Sequence, residues 1–303
     1  ERLRIQAHAG GVWSANFSPD GTRLVTAGAD SLVKVWDLAT GKNLLTLTGH
    51  VDIPDRTVGG FYNGVLVAVY SPDGTLIASA GEDGIVRVWD AVTGAQLYAL
   101  QGHPKKIGLT NVCFSQDGSL LAATSDEEDV IGASVSLWKI SRQSAEQIFS
   151  RTGLTDGRYW ALAISPSNQF VVTGDSNGVL RLIPAKPGDQ KVTELKDHAG
   201  TILSAAYSAD GSILETSSRD GTVNIRNGKT LEVIKTIVPM HALSYSAISR
   251  DGKYLFTAGL SGIARVFLVK TEDLISLALS RLSRGFTQGE CQQYLHVEKC
   301  PQP

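Results

Sequence analysis

Polar and apolar positions alternate in a unit that recurs along the chain. A polar turn at residues 18–21 is followed by an alternating apolar stretch, a second turn at Asp30 and a closing apolar run, Val33–Asp37. The first turn returns at spacings of 41 to 53 residues, around Gly74, Gly118, Asn168, Gly211 and Gly252. Alternation with period two indicates half-buried strands, and a repeat of roughly 40–45 residues with four strands is typical of a propeller blade. The pattern therefore predicts an all-β chain of six blades.

Both ends of this repeat pattern contain only part of a blade. Residues 2–5 alternate like an outermost strand and precede His8 as residues 44–47 precede His50. The last unit ends at Leu268 without a fourth strand. We therefore expect residues 1–6 to complete the sixth blade and to close the propeller over residues 1–268, which leaves no open sheet edge. The count is six blades, or seven if residues before Glu1 supply another, and we interpret the sequence as part of a longer protein.

Three recurring motifs resemble those of the WD-repeat family of β-propellers. They are Gly-His before a strand, the Ser-Pro-Asp-Gly turn and the closing Trp-Asp, and they cover residues 1–268. The resemblance implies a buried, hydrogen-bonded set of His, Ser or Thr, Asp and Trp in each intact blade. Complete sets are His8, Thr26, Asp30 and Trp36 in the first blade and His50, Ser79, Asp83 and Trp89 in the second. The resemblance implies no single activity, because function lies in sites carried by the fold.

The other blades have incomplete sets. The fifth blade keeps His198, Thr216 and Asp220 but has Arg226 in the Trp position. Further departures are Ala123 for Ser in the third blade, Ile183 for Trp in the fourth, and Ser261 for Asp and Phe267 for Trp in the sixth. Because each unpaired buried polar group costs about 1–3 kcal/mol, we expect the third, fourth and sixth blades to pack more loosely.

Beyond Leu268 the pattern becomes helical. Residues 271–273 begin a helix with one apolar stripe, formed by Leu274, Ile275, Ala278, Leu279 and Leu282, and Gly285 ends it. Thr287 and Glu290 form a capping box for a second short helix. We expect residues 269–303 to pack on the flank of the propeller. Residues 273–301 resemble the C-terminal ends of bacterial multidomain signalling proteins, in which a WD-repeat sensor follows a STAND-type nucleotide-binding or other effector domain.

Composition narrows the functional classes. The net charge of −2 argues against a broad nucleic-acid footprint, and no apolar run is long enough to span a membrane. The protein is therefore interpreted as soluble. Three cysteines make no disulfide framework, which favours a reducing, cytoplasmic compartment. Cys291 and Cys300 are interpreted either as a disulfide or as two unrelated thiols, because with His296 they fall short of a zinc site.

Catalytic chemistry finds little support. His50, Ser79 and Asp83 could be taken for a hydrolase triad, but a set that recurs at blade spacing is structural first. Gly59-Gly60 lacks the lysine and the strand-to-helix context of a phosphate-binding loop. We therefore predict no enzyme activity, no cofactor and no metal.

A binding rim is the sharper hypothesis. Aligning the innermost strands places Trp13, Leu66, Trp160 and Leu203 in one slot at the mouth of the central channel, with Tyr159 and Tyr245 one position away. Large apolar and aromatic side chains that converge on an exposed rim are typical of interaction hot spots. The alternative is that some of them, the leucines above all, only seal the channel.

Two insertions lengthen loops at the same end of the propeller. One is residues 51–64, and the other carries the acidic run Asp126, Glu127, Glu128 and Asp129. Loops on a rigid scaffold often carry recognition, although an acidic run can equally be a solvated turn.

Together these features predict a non-catalytic module that binds a protein or peptide on its loop-rich face. It would be the sensor or scaffold part of a larger bacterial signalling or defence protein, with its own upstream effector domain as one partner. The rival interpretations are a small-molecule or nucleotide-derived ligand in the central channel and an unrecognised propeller hydrolase.

Overall fold

The chain forms six antiparallel β-sheets followed by short helices. The computed structural model describes residues 3–51, 64–101, 108–125, 133–154, 157–186, 188, 191–238, 243–249, 251–259, 262–280 and 287–295. Within these residues there are 23 strands, and each sheet is made of strands that follow one another in the chain. This architecture is a six-bladed β-propeller, as the repeat pattern predicted.

The first three blades are four-stranded. The first contains β1 (Val12–Phe17), β2 (Arg23–Gly28), β3 (Val33–Asp37) and β4 (Asn43–Leu47). The second contains β5 (Val65–Tyr70), β6 (Leu76–Gly81), β7 (Ile85–Asp90) and β8 (Gln96–Gln101). The third contains β9 (Leu109–Phe114), β10 (Leu120–Ser125), β11 (Val135–Ile140) and β12 (Ala145–Arg151).

Of the last three blades, the fourth and fifth have four strands and the sixth has three. The fourth contains β13 (Tyr159–Ile164), β14 (Phe170–Asp175), β15 (Val179–Pro184) and β16 (Thr193–Lys196). The fifth contains β17 (Ile202–Tyr207), β18 (Ile213–Ser218), β19 (Val223–Asn227) and β20 (Val233–Ile237). The sixth has three strands, β21 (Leu243–Ile248), β22 (Tyr254–Gly259) and β23 (Ala264–Leu268).

The recurring polar turn is held by its own side chains. The Ser18 hydroxyl donates to the Asp20 carboxylate at 2.5 Å, and the same carboxylate accepts from the Thr22 amide at 3.0 Å. Gly21 completes the turn with a φ of 70°, in the left-handed region that favours glycine. The hydrogen bond from Ser18 is the largest cause that lowers the pKa of Asp20, to about 2. The serine and aspartate spacing therefore fixes where β1 ends and β2 begins.

The apolar core lies between successive sheets. Between the fourth and fifth blades, for example, Val172 and Leu180 of one sheet pack with Ile202 and Leu214 of the next, all fully buried. Both faces of an inner sheet are covered in this way. The strand sequences match this environment, because β6 and β18 are buried at every position.

Among the described residues, the seam between the sixth and first blades is open. Innermost strands pack against each other in succession from β1 and β5 to β17 and β21, but β21 and β1 make at most marginal contact. Phe17 is 67% exposed and Val266 is 58% exposed. Val65, by contrast, is fully buried, while its counterpart Val12 at the start of β1 is exposed. Packed side chains fix the angle between neighbouring sheets. Five such packed steps join the six described blades, and the predicted closure is not seen at this seam among the described residues.

Residues 3–6 do not form the predicted outer strand of the sixth blade. They carry no strand, and the sheet of the sixth blade ends at β23. Leu3 instead packs over Gly41 of the first blade, where a Cβ would lie 2.7 Å from the leucine. Leu45 and Leu47 lie over Gly94 of the second blade in the same manner. The segment thus lies against the first blade as the outer strand of the first blade lies against the second.

The chain beyond the sixth blade is helical, as predicted. Helix α1 is Thr271–Ser280, α2 is Gln288–Glu290, and a π-helical turn, Cys291–Leu295, continues α2. Asp273 lies 4.0 Å from Lys253 of the sixth blade, whereas the predicted stripe residues Leu274 and Ile275 remain exposed. Packing of residues 269–303 on the propeller therefore stays a prediction. The side chains of Ala278 and Leu279, and residues 282 and 285, lie outside the description.

Of the two interpretations of the C-terminal cysteines, Cys291 agrees with a disulfide and not with a free thiol. It is fully buried and disulfide-bonded, while Cys300 lies outside the described residues. No helix in the described part of the chain is both long and apolar enough to cross a membrane.

Candidate functional site

The first two blades contain the hydrogen-bonded sets that the motifs implied. In the first, the His8 ring lies 2.7 Å from Asp30 through Nδ1 and 2.8 Å from Thr26 through Nε2, and the Trp36 indole donates to Thr26 at 2.9 Å. The second blade repeats this geometry with distances of 2.9, 2.8 and 2.9 Å, in His50, Asp83, Ser79 and Trp89.

One proton assignment satisfies every group of the first set. The Trp36 indole must donate to the Thr26 oxygen, so the Thr26 hydroxyl donates to Nε2 of His8, and Nδ1–H of His8 donates to Asp30. Thr26 and His8 are both buried. The hydroxyl is therefore a structural link without the exposure that a nucleophile needs, and the arrangement stabilises the blade.

The fifth blade replaces the missing tryptophan with an ion pair that sequence reasoning missed. Arg226 is bound to the carboxylate of Asp197, whose side chain is fully buried. Asp197 also accepts from Thr216 at 2.6 Å and from Asn224 at 2.8 Å. The available signal was the acidic residue directly before His198. In this blade a second polar set therefore takes the place of the missing tryptophan.

The fourth blade uses a different substitution. Arg181 is paired with the fully buried Asp175 and also donates to Glu194 at 2.7 Å. Tyr159 is 0% exposed, and its hydroxyl lies beside Thr173 and Arg181. Burial raises the pKa of Tyr159 to about 12. The prediction that Tyr159 belongs to the exposed rim is corrected here, since its position in β13 points into the blade.

A β-bulge at the start of each innermost strand creates the rim. In β1 the register shifts between Val12 and Ser14, so Trp13 is the extra residue. The same shift singles out Leu66 in β5, Thr110 in β9, Trp160 in β13 and Leu203 in β17. Bulges re-aim a side chain locally. The aligned slot that the sequence indicated is therefore the bulge position of each blade.

Neighbouring strands hold this rim in place. The Thr110 hydroxyl donates to the backbone oxygen of Tyr159 at 2.8 Å. The side-chain amide of Asn111 donates to the backbone oxygen of Trp160 at 3.0 Å. Gly11 lies under the indole of Trp13, where a Cβ would be 3.1 Å from the ring. The backbone of Trp160, in the fourth blade, is thus hydrogen-bonded to the third blade.

Trp13, Leu66 and Trp160 line one cavity at the channel mouth. Its volume is about 180 Å³, and Val67, Glu82, Gly108 and Thr110 complete the lining. The structure therefore brings together three of the residues that the alignment singled out, on three different blades. It also adds Glu82, a carboxylate that sequence reasoning did not select.

The other predicted rim residues lie apart from this cavity. Leu203 is half-buried in its bulge and Tyr245 is 61% exposed, but neither lines the cavity. The acidic run of residues 126–129 lies outside the described residues, as do residues 52–63 of the first insertion.

A second cavity lies at the opposite end of the innermost strands. It has a volume of about 440 Å³ and is lined by uncharged residues, including Phe17, Tyr70, Phe114 and Tyr207. These aromatic residues directly precede the recurring serine turn, a signal that the sequence analysis left unused. Cys113 also lines it, but burial raises the pKa of its thiol to about 12, which leaves no thiolate at neutral pH.

A buried carboxyl between the fifth and sixth blades also escaped sequence reasoning. Glu215 of β18 is fully buried and accepts hydrogen bonds from Ser246 of β21 and, at 3.4 Å, from Ser204 of β17. Burial raises the pKa of Glu215 to about 7. No group of three or more His, Cys, Asp or Glu side chains in the described part of the chain is arranged to hold a metal ion.

Known proteins resemble the repeated part of this chain. The family profile for the WD domain, G-beta repeat, matches residues 1–37, 41–90, 94–131, 147–183 and 189–227. The chain is 25% identical over 285 residues to autophagy-related protein 16 of Arabidopsis thaliana, covering 92% of this chain and 52% of that protein. It thus spans about half the length of that relative.

Two further relatives are covered more fully. Eukaryotic translation initiation factor 3 subunit I of Drosophila willistoni is 24% identical over 251 residues, 81% of this chain and 73% of that protein. Serine-threonine kinase receptor-associated protein of Mus musculus is 25% identical over 266 residues, 77% of this chain and 72% of that protein. Since the repeat profile matches well over half of the residues and the sheets form its blades, the chain belongs to the WD-repeat family of β-propellers.

Proposed function

We propose that this chain is a non-catalytic interaction module that recognises a protein or peptide at the channel mouth formed by Trp13, Leu66 and Trp160. The observation that carries the proposal is their convergence on one cavity of about 180 Å³. Tryptophan is enriched at interaction hot spots, which lie in well-packed pockets surrounded by weaker contacts. The cavity is smaller than the roughly 300–1,000 Å³ of small-molecule sites, so it fits an anchoring side chain of a larger partner.

The names of two relatives support an interaction role. One relative is a subunit of a translation initiation factor, and the other is associated with a serine-threonine kinase receptor. Both descriptions are of proteins that work within assemblies. We carry over to this chain only the general role of binding another protein.

The buried polar sets support the absence of catalysis. The hydroxyls of Thr26 and Ser79 are buried and engaged by both His and Trp. Catalysis by these sets would need one of the two hydroxyls to be reachable by substrate. A small apolar ligand is the second candidate, favoured by the 440 Å³ cavity at the opposite mouth.

The wider setting is also a proposal. We propose that the module is the sensor or scaffold part of a larger signalling protein and also engages an effector domain upstream of it in the same protein. The bacterial setting and the cytoplasmic location rest on the C-terminal resemblance and the low cysteine count; the relatives named above are eukaryotic. The disulfide at Cys291 would require an oxidising environment to persist, which counts against the cytoplasmic part of this proposal.

A capture experiment with matched variants tests the binding site. The parent chain, a Trp13→Ala, Trp160→Ala variant and a Phe256→Ala control, in which an exposed aromatic residue away from the channel mouth is removed, are immobilised after their thermal melts are compared. A purified candidate partner should bind the parent and the control but lose at least tenfold in affinity for the double variant. Equal binding to all three would move the site elsewhere, and substrate turnover by the chain would refute the non-catalytic role.

A further inference from the structure

The cavity at the channel mouth combines aromatic rings with one charge. Its described lining contains two indoles, from Trp13 and Trp160, and a single charged side chain, Glu82. Indole faces carry negative quadrupole density and attract cations. The carboxylate adds a full negative charge beside them. A cavity of this composition favours a positively charged group over a neutral or negative one.

Glu82 is placed by the blade framework rather than by a free loop. Its amide donates to the Gly64 oxygen at 3.0 Å, and Asp83, the next residue, is held by His50 and Arg87. The same backbone hydrogen bond recurs in three other blades, at 2.9 Å in each, through the amides of Ala29, Ser176 and Arg219. These counterparts are two neutral residues and one cation. The negative charge is therefore a feature of the second blade alone among these four positions.

The cavity dimensions set the size of the group that it can accept. A volume of about 180 Å³ suits one side chain. Leu66 and Val67 provide apolar wall on the second blade. Lysine and arginine can bury an aliphatic stem against such a wall while their charged head reaches a polar partner. Trp13, Glu82 and Trp160 each make a further interaction within the chain.

We infer that the cavity lined by Trp13, Trp160 and Glu82 takes the side chain of a lysine or arginine from the partner polypeptide. This inference rests on the proposed function, because it names the residue that anchors the partner at the same rim. The stem packs on Leu66, the head group lies against the indoles, and Glu82 supplies the counter-charge.

A displayed library of random twelve-residue peptides tests the inference. Peptides are selected on the parent chain and then screened for loss of binding to the Trp13→Ala, Trp160→Ala variant. The rim-dependent peptides should share a lysine or arginine at one position. Replacing that lysine with norleucine, which keeps the stem and removes the charge, should weaken binding roughly tenfold or more.

Variants of Glu82 separate charge from shape. Glu82→Gln should lose most of the preference for the basic residue, and Glu82→Lys should select acidic residues in its place. Glu146→Gln, on the exposed outer strand of the third blade, is the matched control and should leave selection unchanged. All variants are first compared by thermal melting, because Glu82 also contacts other groups of the chain.

The failures are distinguishable. Rim-dependent peptides without a common basic residue, or with equal affinity after the norleucine change, would overturn the inference while leaving the proposed function intact. A library that yields no peptide dependent on Trp13 and Trp160 would overturn the proposed recognition site, and the inference with it.

Discussion

The fifth and sixth blades are neighbours built from one repeat, yet they meet different surroundings. Every residue of β18 in the fifth blade is buried, whereas β22 in the sixth alternates between buried and exposed positions. The fifth blade lies between two sheets, whereas among the described residues the sixth packs closely against one neighbouring sheet. Burial of a strand in this fold is therefore set by the adjacent blade and only partly by the strand's own composition.

Their polar interiors differ in the same sense. The fifth blade has replaced its lost tryptophan with the Arg226 and Asp197 pair. In the sixth blade the buried hydroxyl of Thr257 has no hydrogen-bond partner among the described residues. The fifth blade has thus acquired a substitute network and the sixth has not, although the covered fourth blade also keeps an unpartnered buried hydroxyl, that of Thr173, among the described residues.

The largest expected effect comes from breaking the ion pair of the fifth blade. Arg226→Ala should lower the free energy of unfolding by about 3–5 kcal/mol, because Asp197 is left as a buried, uncompensated charge. Arg265→Ala, on the exposed β23 of the sixth blade, should change it by no more than about 0.5 kcal/mol. Urea denaturation of both variants measures the difference. Equal losses would show that the two blades are not as distinct as their burial indicates.

Adjacent residues of β22 sharpen the comparison within one strand. Leu255 is fully buried against the fifth blade, while Phe256 faces the open seam. Leu255→Ala should cost about 2–5 kcal/mol by leaving a cavity, and Phe256→Ala should cost less than about 1 kcal/mol. Chemical denaturation again provides the measurement. A large loss for Phe256→Ala would mean that the seam is covered in solution.

Glu215, at the interface of the two blades, should make stability depend on pH. Its folded pKa of about 7 lies above the ordinary value of 4.5 because of burial. The folded chain therefore holds the proton more tightly than the unfolded chain, and stability present below about pH 4.5 is lost as pH rises towards 7. The expected loss is on the order of 3 kcal/mol. Glu215→Gln should make the denaturation midpoint nearly independent of pH across this window. An unchanged dependence of the midpoint on pH would contradict the raised pKa of Glu215.

The smallest contrast concerns two equivalent threonines. Thr216→Val should cost about 1–3 kcal/mol, because His198 and Asp197 lose a hydrogen-bonding group. Thr257→Val should be neutral or slightly stabilising, since it replaces an unpartnered hydroxyl by a methyl of similar shape. Thermal melting resolves the pair. Destabilisation by Thr257→Val would indicate that its hydroxyl has a partner in solution.

Sequence reasoning located the repeat and selected part of the candidate site. The turn spacing gave six blades, and the aligned slot held Trp13, Leu66 and Trp160, which the structure brings to one cavity. It did not find Glu82 or Asp197, because a single acidic residue beside a recurring motif carries no periodic signal. It misplaced Tyr159, since one step along a strand reverses the face on which a side chain lies.

What the amino-acid sequence determined by itself is local and repeated: strand alternation, the serine and aspartate turn, and the His, Thr, Asp and Trp sets of the first blade. These features involve residues that a blade brings together over a few tens of positions. The tertiary structure alone decided the open seam, the position of residues 3–6 against the first blade and the cavity shared by three blades. Those depend on the angle at which one packed sheet meets the next, and that angle is summed around the whole ring.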